Sequence, residues 1–349
     1  MWKVPVIFAA SILGLSIVGS SYAYYPVQIA TLCGFTHART ESPAPDVLLF
    51  GSSRTGRGLD PIYIEQQLAA DGIEANVARL VSTGPEYGTS LILAQEYLRH
   101  HGAPKFAVVE LVYNRRPDEQ HKMDEPVSSP RNVMMADMSD LEAAREATFP
   151  DQWLNNARIS LRDKISKFSS NVFSGMMYFS HKVTGARPLE ICAGDNMYRQ
   201  TGIWPYGDLP GDPINPNWRL PGTAEEWKAE AAEYFPLKPA APFREVQTRQ
   251  IKAVIDIFRK AGSNVVVTIY PTIGEDLDAA TRNELEAIYS ETPFIDMITP
   301  FNAATKGRED EVFADPTHVG PKGAIILSDL MVEKISTMSG APVAGAAGS

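Results

Sequence analysis

The hydrophobic positions along the chain fall into two alternating rhythms, short continuous apolar runs and longer stretches with helical spacing. DVLLF (46–50) is an unbroken apolar run closed by Gly51, as expected of a strand buried on both faces of a parallel sheet. Asp60-Pro61 then opens a helix to about Ala70, with proline where the first turn tolerates it. NVARLVS (76–82) predicts a second strand and FAVVELVY (106–113) a third. Between them lies a helix with apolar positions 91, 92, 94 and 98, ending at His100-His101-Gly102. Later the same alternation resumes: helix 243–261, strand 264–270 (NVVVTIY), helix 277–290, strand 294–298 and a last helix over 321–336. Strands alternating with helices predict an α/β domain built on a doubly wound, mainly parallel sheet.

Residues 115–242 interrupt that rhythm and read as an insertion, helix-prone and rich in Met and Phe first, then dense in Pro, Gly and aromatics. So long an irregular segment is often a binding or lid element. Trp204, Tyr206 and Trp218 stand in it as candidate stacking platforms for sugar rings, or as anchors that pin the loop to the domain. The sheet domain is thus expected over 46–114 and 243–336, after a 26–45 neck and before a 337–349 tail that has little to bury and reads as disordered.

Residues 1–25 change the picture of where such a domain works. Lys3 is the only charge before His37, and Val4 to Val18 is nearly all apolar. Ser21-Tyr22-Ala23 places small residues where a signal peptidase reads, so the segment fits a cleaved export signal. Residues 4–25 also suffice for an uncleaved inner-membrane anchor of about 20 residues. Both readings put the rest of the chain in an extracytoplasmic, periplasmic setting. There a Cys33–Cys192 disulfide is possible, two unpaired cysteines being the alternative.

Composition narrows the chemistry. The 349 residues carry 32 Lys and Arg against 42 Asp and Glu, a formal charge of −10, with no basic block, so nucleic acid is not an expected partner. Two cysteines are too few for a zinc ribbon or an iron–sulfur site. His100, His101, His121 and His181 show no metal-ligand spacing, and Gly51, Gly56 and Gly58 match no nucleotide loop, so neither metal nor cofactor is expected.

In open α/β sheets ligands sit beyond the carboxyl ends of the strands. The first strand delivers Gly51-Ser52-Ser53-Arg54-Thr55-Gly56 there, the second Ser82-Thr83-Gly84 and the third Asn114-Arg115. Asp315-Pro316-Thr317-His318 precedes the last helix. A hydroxyl nucleophile, backbone N–H groups, a side-chain amide and an Asp–His pair are the parts for acyl transfer through a tetrahedral intermediate. Taken alone, Asp315 also fits a plain helix cap with His318 incidental.

With these residues in place, the chain resembles the SGNH (GDSL-like) hydrolase superfamily, above all its exported, membrane-anchored envelope-glycan O-acyltransferase and esterase branch. DVLLFGSSRTGRGLDP resembles the first block, with Ser53 at the nucleophile position and Ser52 where the family usually has Asp. DPTHVGPKGAIILSDLM resembles the last block, with Asp315 and His318. Gly84 matches the second-block glycine, and Asn114 stands for the third-block asparagine although the usual Gly-x-Asn-Asp reads VYNRR here. The resemblance implies a flavodoxin-like fold, a Ser53–His318–Asp315 triad, and an oxyanion hole of Ser53, Gly84 and Asn114. It further implies addition or removal of a short O-acyl ester, acetyl or succinyl in type, on an envelope or exopolysaccharide glycan, and an uncleaved anchor would suit a transferase that collects acyl groups from a membrane acyl-donor protein. Arg54, Arg57, Arg115 and Arg116 are candidates for an anionic substrate group, or else solvated surface arginines. The rival reading is a non-catalytic glycan-binding or assembly subunit that keeps the fold. Hydrogen-bond reach between Ser53 and His318 separates the two.

Overall fold

The computed structural model describes residues 38, 43–81, 87–111, 221–234 and 241–338. Five parallel strands, β1 (Val47–Gly51), β2 (Val77–Val81), β3 (Phe106–Glu110), β4 (Asn264–Ile269) and β5 (Phe294–Asp296), lie in the order β2-β1-β3-β4-β5. This is the α/β flavodoxin-like arrangement. The strands form because their Val, Leu and Ile runs have both faces to bury: β1 is buried from Val47 to Phe50 and β4 from Val265 to Ile269.

Helices cover both faces. On one, Leu48, Phe50, Val109 and Val267 pack against α3 (Tyr87–His101), α5 (Ala241–Lys260) and α6 (Ala279–Ile288) through Leu91, Tyr97, Ile251, Phe258 and Leu285. On the other, Leu49, Val108 and Val266 meet α2 (Pro61–Ala70), α4 (Ala224–Tyr234), α7 (Ile298–Thr305) and α9 (Pro321–Met338). Period-two alternation along each strand explains the division, since neighbouring residues such as Leu48 and Leu49 point to opposite layers. Asp60 starts α2 as expected, its Oδ1 accepting from the N–H groups of Ile62 and Tyr63, with Pro61 at the first position. Gly102, with φ +78°, follows α3.

Three features depart from the sequence pattern. A strand to residue 298 is expected, but β5 ends at Asp296, whose Oδ1 accepts from Ile298 and Thr299 N–H and so opens α7. The periodicity also misses two short helices: α1 (Ser53–Gly58), which contains Ser53, Arg54 and Arg57, and α8 (Glu309–Val312), which precedes the Asp315–His318 loop. Finally, Ala224, Trp227 and Ala231 of α4 fall in the stretch read as insertion, yet they are buried with the sheet core.

Candidate active site

The strand order reverses its winding between β1 and β3, the switch point where flavodoxin-like sheets open a crevice at their carboxyl edge. β1 delivers Ser53 there as the first residue of α1. Ser52 caps that helix, its Oγ accepting from Arg54 N–H at 3.2 Å. Facing α1 is a tight loop closed by an antiparallel bridge between Phe313 and Val319 and by the Gly320 N–H bond to Val312 O. Ile273 N–H, from the segment after β4, donates to Pro316 O and ties this loop to the sheet.

These elements bring Ser53, His318 and Asp315 together. Ser53 Oγ lies 2.7 Å from His318 Nε2, and His318 Nδ1 lies 2.9 and 2.8 Å from Asp315 Oδ1 and Oδ2. With Nδ1–H donating to the carboxylate, Nε2 is left to accept the Ser53 hydroxyl proton. The cap and the partner roles of Asp315 coincide: its Oδ1 also accepts the N–H groups of Thr317 and His318, both at 2.8 Å. Burial alone would raise the Asp315 carboxyl. His318, the Thr317 N–H and Arg57 outweigh it and hold the group down at about 2. Ser53 and His318 themselves are half-buried, within reach of a substrate.

The first turn of α1 also decides which N–H can meet a developing oxyanion. Ser52 N–H donates to Glu110, Arg54 N–H to Ser52 Oγ, Thr55 N–H to Glu110 and Gly56 N–H to Ser52 O. Ser53 N–H alone in that turn has no acceptor among the described residues.

Two arginines change standing. The solvated-surface alternative fails for Arg54 and Arg57, which are 7% and 3% exposed. Arg57, one turn after Ser53 on α1, faces the same loop and places Nη1 3.5 Å from Asp315 Oδ2, so its charge serves the carboxylate. Arg54 lies near Glu275, on the segment after β4.

Glu275 and Glu110 are functional-site neighbours that the sequence pattern alone does not single out. Burial pushes the Glu275 carboxyl up to about 7, while Arg54 and hydrogen bonds from Thr272 pull against it. The signal of Glu275 in the sequence is its place in the segment that follows strand NVVVTIY at its carboxyl end. Glu110 is the one charge inside the apolar run FAVVELVY, and that break in the pattern is its signal. Gly84, Asn114, Arg115, Arg116, Trp204, Tyr206, Trp218, Cys33 and Cys192 lie outside the described residues, as do the leader and most of the insertion. No family model and no curated protein matches the chain.

Proposed function

We propose that the chain is a Ser–His–Asp acyl-transfer enzyme of SGNH type that adds or removes a short O-acyl ester on an envelope or exopolysaccharide glycan. The observation that carries this reading is the unbroken relay from Ser53 Oγ through His318 to Asp315 at the sheet's switch point. A non-catalytic subunit has no need of a 2.7 Å contact between a half-buried serine and histidine. The glycan, the acyl class, the membrane acyl-donor partner and the extracytoplasmic location rest on the family resemblance and on the apolar leader.

In the first half-reaction His318 Nε2 takes the Ser53 proton as Oγ attacks the ester carbonyl. The oxyanion that forms meets Ser53 N–H, and one such donor is typically worth about 10²–10³ in rate. Collapse expels the leaving alkoxide, which takes the proton back from Nε2, and leaves acyl-Ser53. In the second half His318 deprotonates water, giving hydrolysis, or a sugar hydroxyl, giving transfer. Asp315 fixes the tautomer and stabilises the imidazolium in both halves.

The test uses the full chain in detergent with a fluorogenic acetyl ester, beside Ser53→Ala. Turnover that disappears in the variant supports the reading, and turnover that survives at the wild-type rate refutes it. Silence in both removes the general esterase and leaves transfer from a membrane acyl donor as the reaction to assay.

A further inference from the structure

We propose that Glu110, the last residue of β3, is the positioning residue that holds Ser53 against His318, acting through Ser52 and Thr55 on either side of it. The inference rests on the acyl-transfer reading of Ser53. Glu110 is 3% exposed, and a carboxylate so buried is costly unless donors surround it. Four do. Oε2 accepts from Ser52 N–H at 2.6 Å, Thr55 Oγ1–H at 2.6 Å and Thr55 N–H at 3.3 Å, and Oε1 accepts from Ser52 Oγ–H at 2.8 Å. All four donors belong to the residue before Ser53 and the residue two after it. None belongs to Ser53, so its hydroxyl and its N–H are left for the reaction.

Three further observations point the same way. Gly51 has to be glycine because a Cβ there would land on Thr55 Oγ1 and Glu110 Oε2, and 2.7 Å from Glu110 Cβ; the missing side chain is the space the carboxylate occupies. The far end of α1 is held by a charge of opposite sign. Buried Arg79 of β2 donates from Nη1 to Gly56 O and, at 2.9 Å, to Leu59 O. And α1 cannot hold its own shape: six residues with Gly56 and Gly58 among them are far below the length at which a helix persists alone, about 12–15 residues. The position of Ser53 is therefore set by what grips its neighbours, and the grip comes from Glu110.

A fluorophosphonate probe reads this directly in the full chain in detergent. A P–O bond forms to Ser53 Oγ, the P–F bond breaks, and the serine proton passes to His318. The fraction of protein labelled reports how much is folded, whereas the rate constant reports the geometry of the nucleophile. Thr55→Val and Glu110→Leu should lower the rate constant by roughly 10- to 100-fold, the effect of an ångström-scale misplacement. Thr55→Ser, which restores the hydroxyl donor, should label at close to the wild-type rate, and Ser53→Ala should not label. A purely structural role for Glu110 would lower the labelled fraction and leave the rate constant of the folded remainder at the wild-type value, which would overturn the proposal. Should Glu110→Leu fail to fold, the Val and Ser variants of Thr55 decide alone. Absence of labelling in the wild type removes the acyl-transfer reading together with this inference, whereas equal rates across a labelling series remove the inference only.

Discussion

Replacing Glu275 by Gln should make the protein more stable at pH 8 and leave it little changed at pH 4.5. Burial lifts the Glu275 carboxyl from its ordinary 4.5 to about 7, because one enclosed oxygen, Oε2, has no hydrogen-bond partner. Between those values the folded chain holds a proton that the unfolded chain has released, so stability falls as pH rises across this window and levels off above it. At about 1.36 kcal/mol per pH unit the full displacement is worth about 3 kcal/mol. Part of the side chain reaches solvent, so about 1–3 kcal/mol is the range to expect. Glutamine keeps the shape without the charge. Urea unfolding of both proteins at pH 4.5, 6 and 8 should therefore show their free energies diverging with pH, the variant above the wild type. Parallel curves, or a wild type that gains on the variant towards pH 8, would mean that Arg54 neutralises Glu275 in the folded state and that the burial argument is wrong.

Asp315→Asn should cut turnover of an acetyl ester on the order of 10³–10⁴-fold, since an amide N–H facing Nδ1 favours the wrong imidazole tautomer. The Asp315 carboxyl, held at about 2 against an ordinary 3.8, contributes stability that is whole above pH 4 and lost as pH falls through 2, so the acid limb of the wild-type unfolding curve should be shallower in this variant. Gly51→Ala should destabilise by about 1–3 kcal/mol in thermal melts, because its methyl group would occupy the space of Thr55 Oγ1 and Glu110 Oε2. Surviving folded Gly51→Ala protein should also turn over the ester slowly, and a wild-type rate would show that the Glu110 grip can move without moving Ser53.

What the sequence made legible was local. Apolar runs such as DVLLF and NVVVTIY mark buried parallel strands because runs of five to seven residues are too short for a core helix and suit a strand with two faces to bury. Asp315 and His318 could be read as a pair because three residues separate them and one turn of chain brings them together. Ser53 could be placed because a strand end has a fixed relation to the crevice. What escaped depends on partners far away along the chain. α1 has poor helix formers, and it exists through Glu110, 58 positions after Ser52, and Arg79, 23 after Gly56. Trp227 reads as one more aromatic in an irregular stretch until α4 is seen to bury it against the sheet. Arg57 looks like a surface cation on a Gly-rich turn, and only the approach of the 313–319 loop shows what its charge faces.

That approach also explains how a helix of six residues can hold Ser53 accurately. Ser53 and Arg57 are four residues apart, on one face of α1, and each meets a different member of the same loop: Ser53 meets His318 and Arg57 meets Asp315. A rotation of α1 about its axis would break both contacts, whereas a single contact would let the helix pivot about it. Glu110 and Arg79 then fix the two ends, the anion where N–H groups point outward and the cation where carbonyls do. Each of these charges is buried, and none would be tolerable alone, so each is tolerated only in the arrangement in which its partners are met. An apolar clamp of equal strength would accept many small displacements of α1. A set of buried charges at opposite ends and on one flank accepts very few, and that restriction is what keeps Ser53 Oγ 2.7 Å from His318 Nε2.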